Sequence, residues 1–288
     1  MTGAARGIGA RIAATLAARG ATVAGADIAG DWAAGAAADV AGDWADAAED
    51  GVAAGDGAAA RDGVTAGDGV AGRDGAAGRD GVVAGERADG PAGAAHSRHR
   101  VDIRSARSCR DLVAEVLDRH GRLDLLVNNA GIVRRGPAAT MSEEDFTTVL
   151  DVNLTGTFRM CQAAYPALRA ARGAVVNLGS TNGHIAVLNT AGYCVSKAGV
   201  LHLTRVLALE WAADQVRVNA VGPTIVPTDM TTDVRGDAAY LADKMATIPL
   251  GRMAEPTDVA NAVAYLLSDA AAMVTGQTIF VDGGVTIH

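Results

Sequence analysis

Thr2-Gly3-Ala4-Ala5-Arg6-Gly7-Ile8-Gly9 opens the chain. Glycines at 3, 7 and 9 ahead of a helix let backbone N–H groups approach a pyrophosphate, and the helix dipole favours its charge. Ile8, Ile12 and Leu16 recur at i, i+4 and i+8, and Gly20 ends the period, so a helix is predicted there. Ala21-Thr22-Val23-Ala24-Gly25-Ala26-Asp27 then reads as a short buried strand ending in a carboxylate. A carboxylate there accepts hydrogen bonds from an adenosine ribose and repels a 2′-phosphate. Asp27 therefore argues for NAD over NADP. Arg6 pulls the other way, and Asp27 is given the greater weight. A phosphate turn of this kind normally follows a strand, yet only Met1 precedes Thr2. The first strand, central and buried on both faces in such a sheet, is therefore expected to be missing, and the true start is expected upstream of Met1.

Outward from this turn, strands and helices alternate. His99-Arg100-Val101-Asp102 closes a strand, with Asp102 and Ile103 near the adenine end of a bound nucleotide. Ser105 is a candidate N-cap for a helix carried by Leu112, Val113, Val116 and Leu117. Leu123 to Gly131 is a buried strand running into the polar turn Asn128-Asn129-Ala130-Gly131, where α/β sheets bind ligands. Phe146 to Tyr165 reads as one long helix with the polar Asn153 inside it. Gly173 to Ser180 and Gln215 to Val221 are further strands. A loop is expected over 229–248, a helix from Pro256, and a last strand from Thr278. This order predicts a single α/β domain over 1–288 with a doubly wound parallel sheet.

Residues 30–95 break the pattern. Asp-Gly pairs recur every six residues from Asp50-Gly51 to Asp80-Gly81, and Gly-Asp-Trp-Ala occurs at 30–33 and 42–45. The apolar positions are few and small, so the repeats bury no core. A helix is expected near Trp32 to Glu49 and a disordered low-complexity insertion over the rest.

Composition narrows the class. The chain has 288 residues, a net charge of −8 and 3% aromatic residues. Its acidity argues against nucleic acid and anionic membrane surfaces. Cys109, Cys161 and Cys194 show no metal spacing, and no His-x-x-x-His pair suggests zinc. Reduced thiols and the lack of a membrane-length apolar run or signal peptide predict a cytoplasmic protein without a metal.

Tyr193-Cys194-Val195-Ser196-Lys197 carries the chemistry. Residues four apart share one helix face. An ammonium near a phenol is expected to lower its pKa and make it a usable acid/base for an alcohol oxygen. Ser180, at a strand end, can hydrogen-bond the same oxygen. His184 and Asn189, in the loop between, are candidate substrate contacts beside Ser180 and Tyr193.

The ordered set Gly3/Gly7/Gly9, Asp27, Asp102, Asn128 to Gly131, Asn153, Ser180, Tyr193-x-x-x-Lys197, Pro223, Thr228 and Asp282-Gly283-Gly284 resembles the short-chain dehydrogenase/reductase family over residues 2–28 and 99–284. The resemblance implies a Rossmann fold and an NAD(P)-dependent oxidoreductase interconverting alcohol and ketone. It implies a tetrad of Asn153, Ser180, Tyr193 and Lys197. Tyr193 would exchange the proton, Lys197 would lower its pKa and hold the nicotinamide ribose, Ser180 would steady the substrate oxygen, and Asn153 would anchor a water. The cofactor would be held by Gly3, Arg6, Gly7, Ile8, Gly9, Asp27, Asp102, Ile103, Asn129, Ala130, Gly131, Tyr193, Lys197, Pro223, Val226 and Thr228. A homo-oligomer, tetramer or dimer, is also implied. Pro223-Thr224 and the Val281 to Ile287 tail are similar to sugar or polyol dehydrogenases. The 3-oxoacyl thioester reductases share the same core, and a catalytically silent dinucleotide-binding protein is a third reading.

Overall fold

A computed structural model of the chain describes residues 1–28 and 96–287. The expected helix near residues 32–49 and the Asp-Gly insertion lie outside the described residues. Among the described residues six parallel strands form the sheet: β1 (Ala24–Asp27), β2 (Ser97–Arg100), β3 (Leu125–Asn128), β4 (Ala174–Leu178), β5 (Arg217–Pro223) and β6 (Thr278–Val281). They group as a pair, β1-β2, and a four-stranded set in the order β3-β4-β5-β6. Strands β3, β4 and β5 read as short apolar runs because helices cover both faces, whereas β2 is Ser97-Arg98-His99-Arg100. Val175, Val176, Val218, Ala220 and Val221 are fully buried.

The expected absence of the first strand is met with one qualification. Thr2 stands in its place, bridging Ala26 of β1 and Asn128 of β3 in parallel fashion. The N–H of Thr2 donates to Val127 O at 3.0 Å, and Ala26 N donates to Met1 O at 2.9 Å. Met1 and Thr2 thus join the two strand groups.

Helix α1 (Gly7–Ala18) packs against α8 (Pro256–Leu267) on one face. On the other face α2 (Ala106–His120) packs against α4 (Gly156–Ala171). Helix α5 (Ala191–Trp211) covers β5. Local chemistry sets the ends. Ser105 Oγ accepts from Ser108 N at 3.2 Å to start α2, and Gly121, at φ 74°, stops it with an N–H to Leu117 O, as N-caps and left-handed C-caps do. Helix α8 starts with Pro256 behind a Glu255/Asp258 capping box. In α3 (Glu143–Leu150), Ser142 caps and the acids Glu143, Glu144 and Asp145 fill the first turn, where the helix dipole favours them.

Two expectations are corrected. The single helix over 146–165 is α3 and α4 joined through a π-helical turn, Asp151–Thr155, which holds Asn153. Thr157 Oγ1 donates to Asn153 O at 2.8 Å, and the Asn153 side chain is tied elsewhere, so the widened turn follows from bonds that pull Asn153 off the ordinary helical path. The loop expected over 229–248 contains α6 (Thr232–Gly236) and α7 (Ala238–Ala246). Arg235 Nη2 ties α6 to Thr228 O, and Asp237 caps α7 through Tyr240 N at 3.0 Å.

Candidate active site

A cleft of about 640 Å³ opens at the carboxyl ends of the strands, where open α/β sheets bind ligands. It is lined by Gly3, Arg6, Gly7 and Ile8 from the first turn, and by Asp27, Asp102 and Ile103 from the ends of β1 and β2. Asn129, Ala130 and Gly131 follow β3; Ser180 follows β4; Tyr193 and Lys197 come from α5; Pro223, Val226 and Thr228 follow β5. Residues far apart in sequence thus converge in one groove.

The first turn fits a dinucleotide. Gly3 and Gly7 have φ of 64° and 57°, which only glycine adopts freely. A Cβ on Gly3 would lie 2.7 Å from Asn129 Nδ2, so the turn lies bare against the Asn129 loop. Asn129 Nδ2 in turn donates to Gly3 O at 2.8 Å. Gly9 is corrected: it does not line the cleft. A Cβ there would come within 1.9 Å of Gly3 O, so Gly9 lets α1 approach the turn. Asp27 Oδ2 accepts from Ala5 N at 3.3 Å. Arg6 is turned toward Asp229, at 3.3 Å on the surface. Asp102 holds Arg104 in a two-pronged pair, its shortest contact 2.7 Å, which lowers the Asp102 pKa despite some burial.

The tetrad residues are brought together. Lys197 is 5% exposed; its Nζ donates to Leu178 O at 2.7 Å and lies 5.7 Å from the Tyr193 ring centroid. Burial lowers its pKa from 10.5 to about 8. The expectation that Lys197 draws down the phenol is corrected for this state. Burial pushes the Tyr193 phenol up, and its hydrogen bond to Ser180 and the charge of Arg135 offset that only in part. The resting phenol is therefore protonated and ready to donate. Ser180 is 8% exposed, and its Oγ also accepts from Asn182 N at 3.1 Å.

Asn153 stands behind the cleft, not in its lining. Its Oδ1 accepts from Ile132 N at 2.8 Å, while Nδ2 donates to Ile132 O at 2.9 Å and to Ser196 Oγ at 3.0 Å. Both amide protons are committed, so its side chain positions the strand-end loop and α5. His184 is exposed and packs on Phe280, with ring centroids 5.2 Å apart, and lies outside the cleft lining. Asn189 lines a second, smaller cavity of about 260 Å³ beside Arg135 and Tyr240.

Sequence reasoning quoted Thr2 and Asn128 within their motifs but gave them, Asn177 and Arg135 no role of their own. Thr2 is 2% exposed, and its hydroxyl accepts from Asn129 N and Ala130 N at 3.2 and 3.3 Å. Asn128 and Asn177 face each other in register and share a buried hydrogen bond of 2.9 Å, continued from Asn177 to Thr204. Their signal was an asparagine inside each of two apolar strands. Arg135 reaches Tyr193 electrostatically and left no sequence signal beyond a charged pair after a glycine turn. Among the described residues, no His/Cys/Asp/Glu group is arranged to hold a metal, and no helix is long and apolar enough to cross a membrane.

Comparisons with known proteins identify the family. A family profile described as enoyl-(acyl carrier protein) reductase matches residues 51–286. D-threitol dehydrogenase of Mycolicibacterium smegmatis is 41% identical over 198 residues, 67% of this chain and 74% of that enzyme. A 3-oxoacyl-(acyl-carrier-protein) reductase of Staphylococcus aureus is 42% identical over 188 residues, 65% of this chain and 75% of its own length. The crystal structure of a gluconate 5-dehydrogenase from Burkholderia cenocepacia, in complex with NADP and tartrate, superposes with a TM-score of 0.77 at 27% identity, covering 100% of this chain and 94% of that one. The chain belongs to the short-chain dehydrogenase/reductase family of NAD(P)-dependent oxidoreductases acting on CH–OH groups.

Proposed function

We propose that the protein is an NAD-dependent dehydrogenase that interconverts a secondary alcohol of a polyol or sugar with the corresponding ketone. The observation that carries this is Tyr193 and Ser180 facing one cleft, with Lys197 buried one turn from the phenol. When bound, the dinucleotide supplies the hydride acceptor or donor. Ser180 holds the substrate oxygen. Tyr193 gives that oxygen a proton in the reductive direction and takes it in the oxidative one. In oxidation a secondary alcohol and NAD+ yield a ketone, NADH and one proton, which leaves through Tyr193. For oxidation the resting phenol first gives up its own proton, and Lys197, buried and cationic, favours the phenolate that then takes the alcohol proton. Asn153 acts through Ile132 and Ser196, keeping the strand-end loop and α5 in register.

The cofactor would lie along Gly3 to Ile8, with its adenosine end near Asp27, Asp102 and Ile103. NAD is favoured because the Asp27 carboxylate closes β1 inside the cleft while Arg6 pairs with Asp229. Related enzymes include structures titled as NADP complexes, so the preference rests on Asp27. A second reading, reduction of a 3-oxoacyl thioester, is favoured by the Staphylococcus aureus relative.

A homo-oligomer in the cytoplasm completes the proposal. Helices α4 and α5 expose Phe158, Val195, Val206 and Leu209, an apolar set suited to a second copy. A monomer mass by light scattering would exclude it.

The deciding experiment follows absorbance at 340 nm against polyols, sugars, hydroxy acids and 3-oxoacyl thioesters, with NAD(H) and NADP(H). The expected result is oxidation of one class of polyol, sugar or sugar acid, a higher kcat/KM with NAD, and a loss of about 10²- to 10⁴-fold in kcat on Tyr193→Phe. Full activity in Tyr193→Phe would overturn the mechanism. Turnover of thioesters alone would select the second reading.

A further inference from the structure

The cavity beside the main cleft is built from three segments. Arg135, Gly136 and Pro137 follow β3; Asn189 and Thr190 precede α5; Val234 and Tyr240 come from α6 and α7. Gly136 N donates to Asn189 O at 2.9 Å, joining the first two walls. Asn189 takes a φ of 60° there, a conformation asparagine tolerates better than most residues. The cavity's volume, about 260 Å³, suits a short polar chain and not a long acyl group.

Arg135 is the cation of this cavity. Its guanidinium is about a third exposed, and Nη1 lies 2.8 Å from Asp233 Oδ2. Nη2 reaches Met230 O at 3.5 Å. Arg134 next to it points elsewhere, toward Asp145 at 3.5 Å. Arg135 lines the outer cavity, and its contact with Met230 O links it to the main cleft, which Met230 lines. Asp233 is itself more than half exposed. Its carboxylate shows which ligand the guanidinium accepts, and an exposed partner of this kind is readily exchanged for a better placed one. A neutral hydroxyl cannot replace a carboxylate on a guanidinium at equal strength, whereas a substrate carboxylate can.

We propose that Arg135 is a specificity residue that binds a carboxylate on the substrate in exchange for Asp233, so that the site selects a short polyhydroxy acid over the neutral polyol of the same length. The proposal rests on Tyr193 being the proton-transfer group, and it narrows the substrate class of that site. Asn189 and Tyr240 supply hydrogen-bonding groups along the same cavity for the substrate's outer hydroxyls. The reaction is unchanged: the alcohol carbon loses a hydride to NAD+, and its oxygen loses a proton to Tyr193.

The test compares four- to six-carbon aldonates with the alditols of equal length, on the full chain and on Arg135→Gln and Asp233→Asn. The wild-type protein should favour an aldonate in kcat/KM by more than about tenfold. Arg135→Gln should lose about 10- to 100-fold in kcat/KM on that aldonate, mostly through KM, as for a hydrogen bond to a charged group. Because the Arg135 charge also acts on Tyr193, kcat can fall on both substrates, and the readout is the aldonate-to-alditol ratio of kcat/KM, which should fall by about 10- to 100-fold. Asp233→Asn, which removes the competing carboxylate, should leave KM for the aldonate equal or lower. A wild-type preference for alditols overturns the proposal. So does an equal fall on both substrate classes in Arg135→Gln, since Arg135 would then only fasten α6. Binding of aldonate or tartrate to the NADH complex, followed by NADH fluorescence, needs no turnover. Binding that Arg135→Gln abolishes, in a protein that oxidises no alcohol, would sustain carboxylate binding at Arg135 and sink the proposed activity. Binding unchanged by Arg135→Gln overturns this proposal alone.

Discussion

The four strands β3 to β6 and the pair β1-β2 are held in different ways. The four-stranded part is thick. Val127, Val176, Val221, Val259, Val263 and Leu266 form one buried cluster between the sheet and helices α1 and α8. The pair has only two strands, its link to β3 runs through Thr2, and Ala26 of β1 shares a buried apolar cluster with Leu112, Val113 and Val116 of α2 and Leu126 of β3. Part of its hold on α2 is polar. Ser97 Oγ lies 2.8 Å from both His99 Nε2 and His120 Nε2, and His99 Nδ1 lies 2.9 Å from Glu115. Glu115 takes the Nδ1 proton of His99, so His99 Nε2 accepts from Ser97, and Ser97 accepts from His120. The proton-transfer groups stand on the thick part, on β4 and α5. The groups proposed for the adenosine end, Asp27 and Asp102, stand on the pair. The proton-transfer chemistry thus stands on the wider part, and the groups proposed for cofactor affinity on the two-stranded one, which adds a polar tie to its apolar packing.

Three measurements sharpen or break this contrast. The largest effect is expected for Leu266→Ala, at a fully buried side chain of α8. It should destabilise the fold by about 2–5 kcal/mol in urea unfolding; a loss under about 1 kcal/mol would show that the thick part does not depend on close packing. Thr2→Val keeps the shape but leaves Asn129 N and Ala130 N without their acceptor. It should cost about 1–3 kcal/mol and weaken NADH binding while sparing kcat at saturating cofactor. A kcat loss with unchanged NADH affinity would place Thr2 in the catalytic half instead.

The smallest effect concerns pH. The His120 pKa is lowered, first by burial and then by Arg119, His99 and His96, and its buried Nδ1 has no hydrogen-bond partner. A histidine lowered on folding binds fewer protons folded than unfolded. Its neutral form is therefore favoured by the fold above about pH 6.5, and stability falls as pH drops through that value toward the folded pKa. His120→Gln should flatten that part of the stability curve. An unchanged slope would show that the Ser97 relay does not titrate with folding.

Much of the fold was legible because its signals are local. Alternating apolar runs, the caps at Ser105 and Gly121, and the Gly3 to Gly9 turn each act within a few residues. Tyr193 and Lys197 were legible for the same reason, since a helix puts residues four apart on one face. The π turn at Asn153 was not, because it answers to Ile132 and Ser196, distant in sequence. The helices α6 and α7 were missed because their ties run through Thr228 O and the Asp237 cap in a stretch without clear apolar period.

The order of residue types along the chain thus determined the parallel α/β class, the dinucleotide turn and the Tyr193/Lys197 pair, all read from spacings within one element. Tertiary structure decided the rest. It raised the Tyr193 phenol, because burial outweighs partners that local spacing cannot weigh. It sent the Lys197 ammonium to Leu178 O, removed Gly9 and His184 from the cleft lining, and placed Arg135 where its charge acts on the Tyr193 phenol. Each of these depends on which distant segments share a wall, and desolvation and charge act through space.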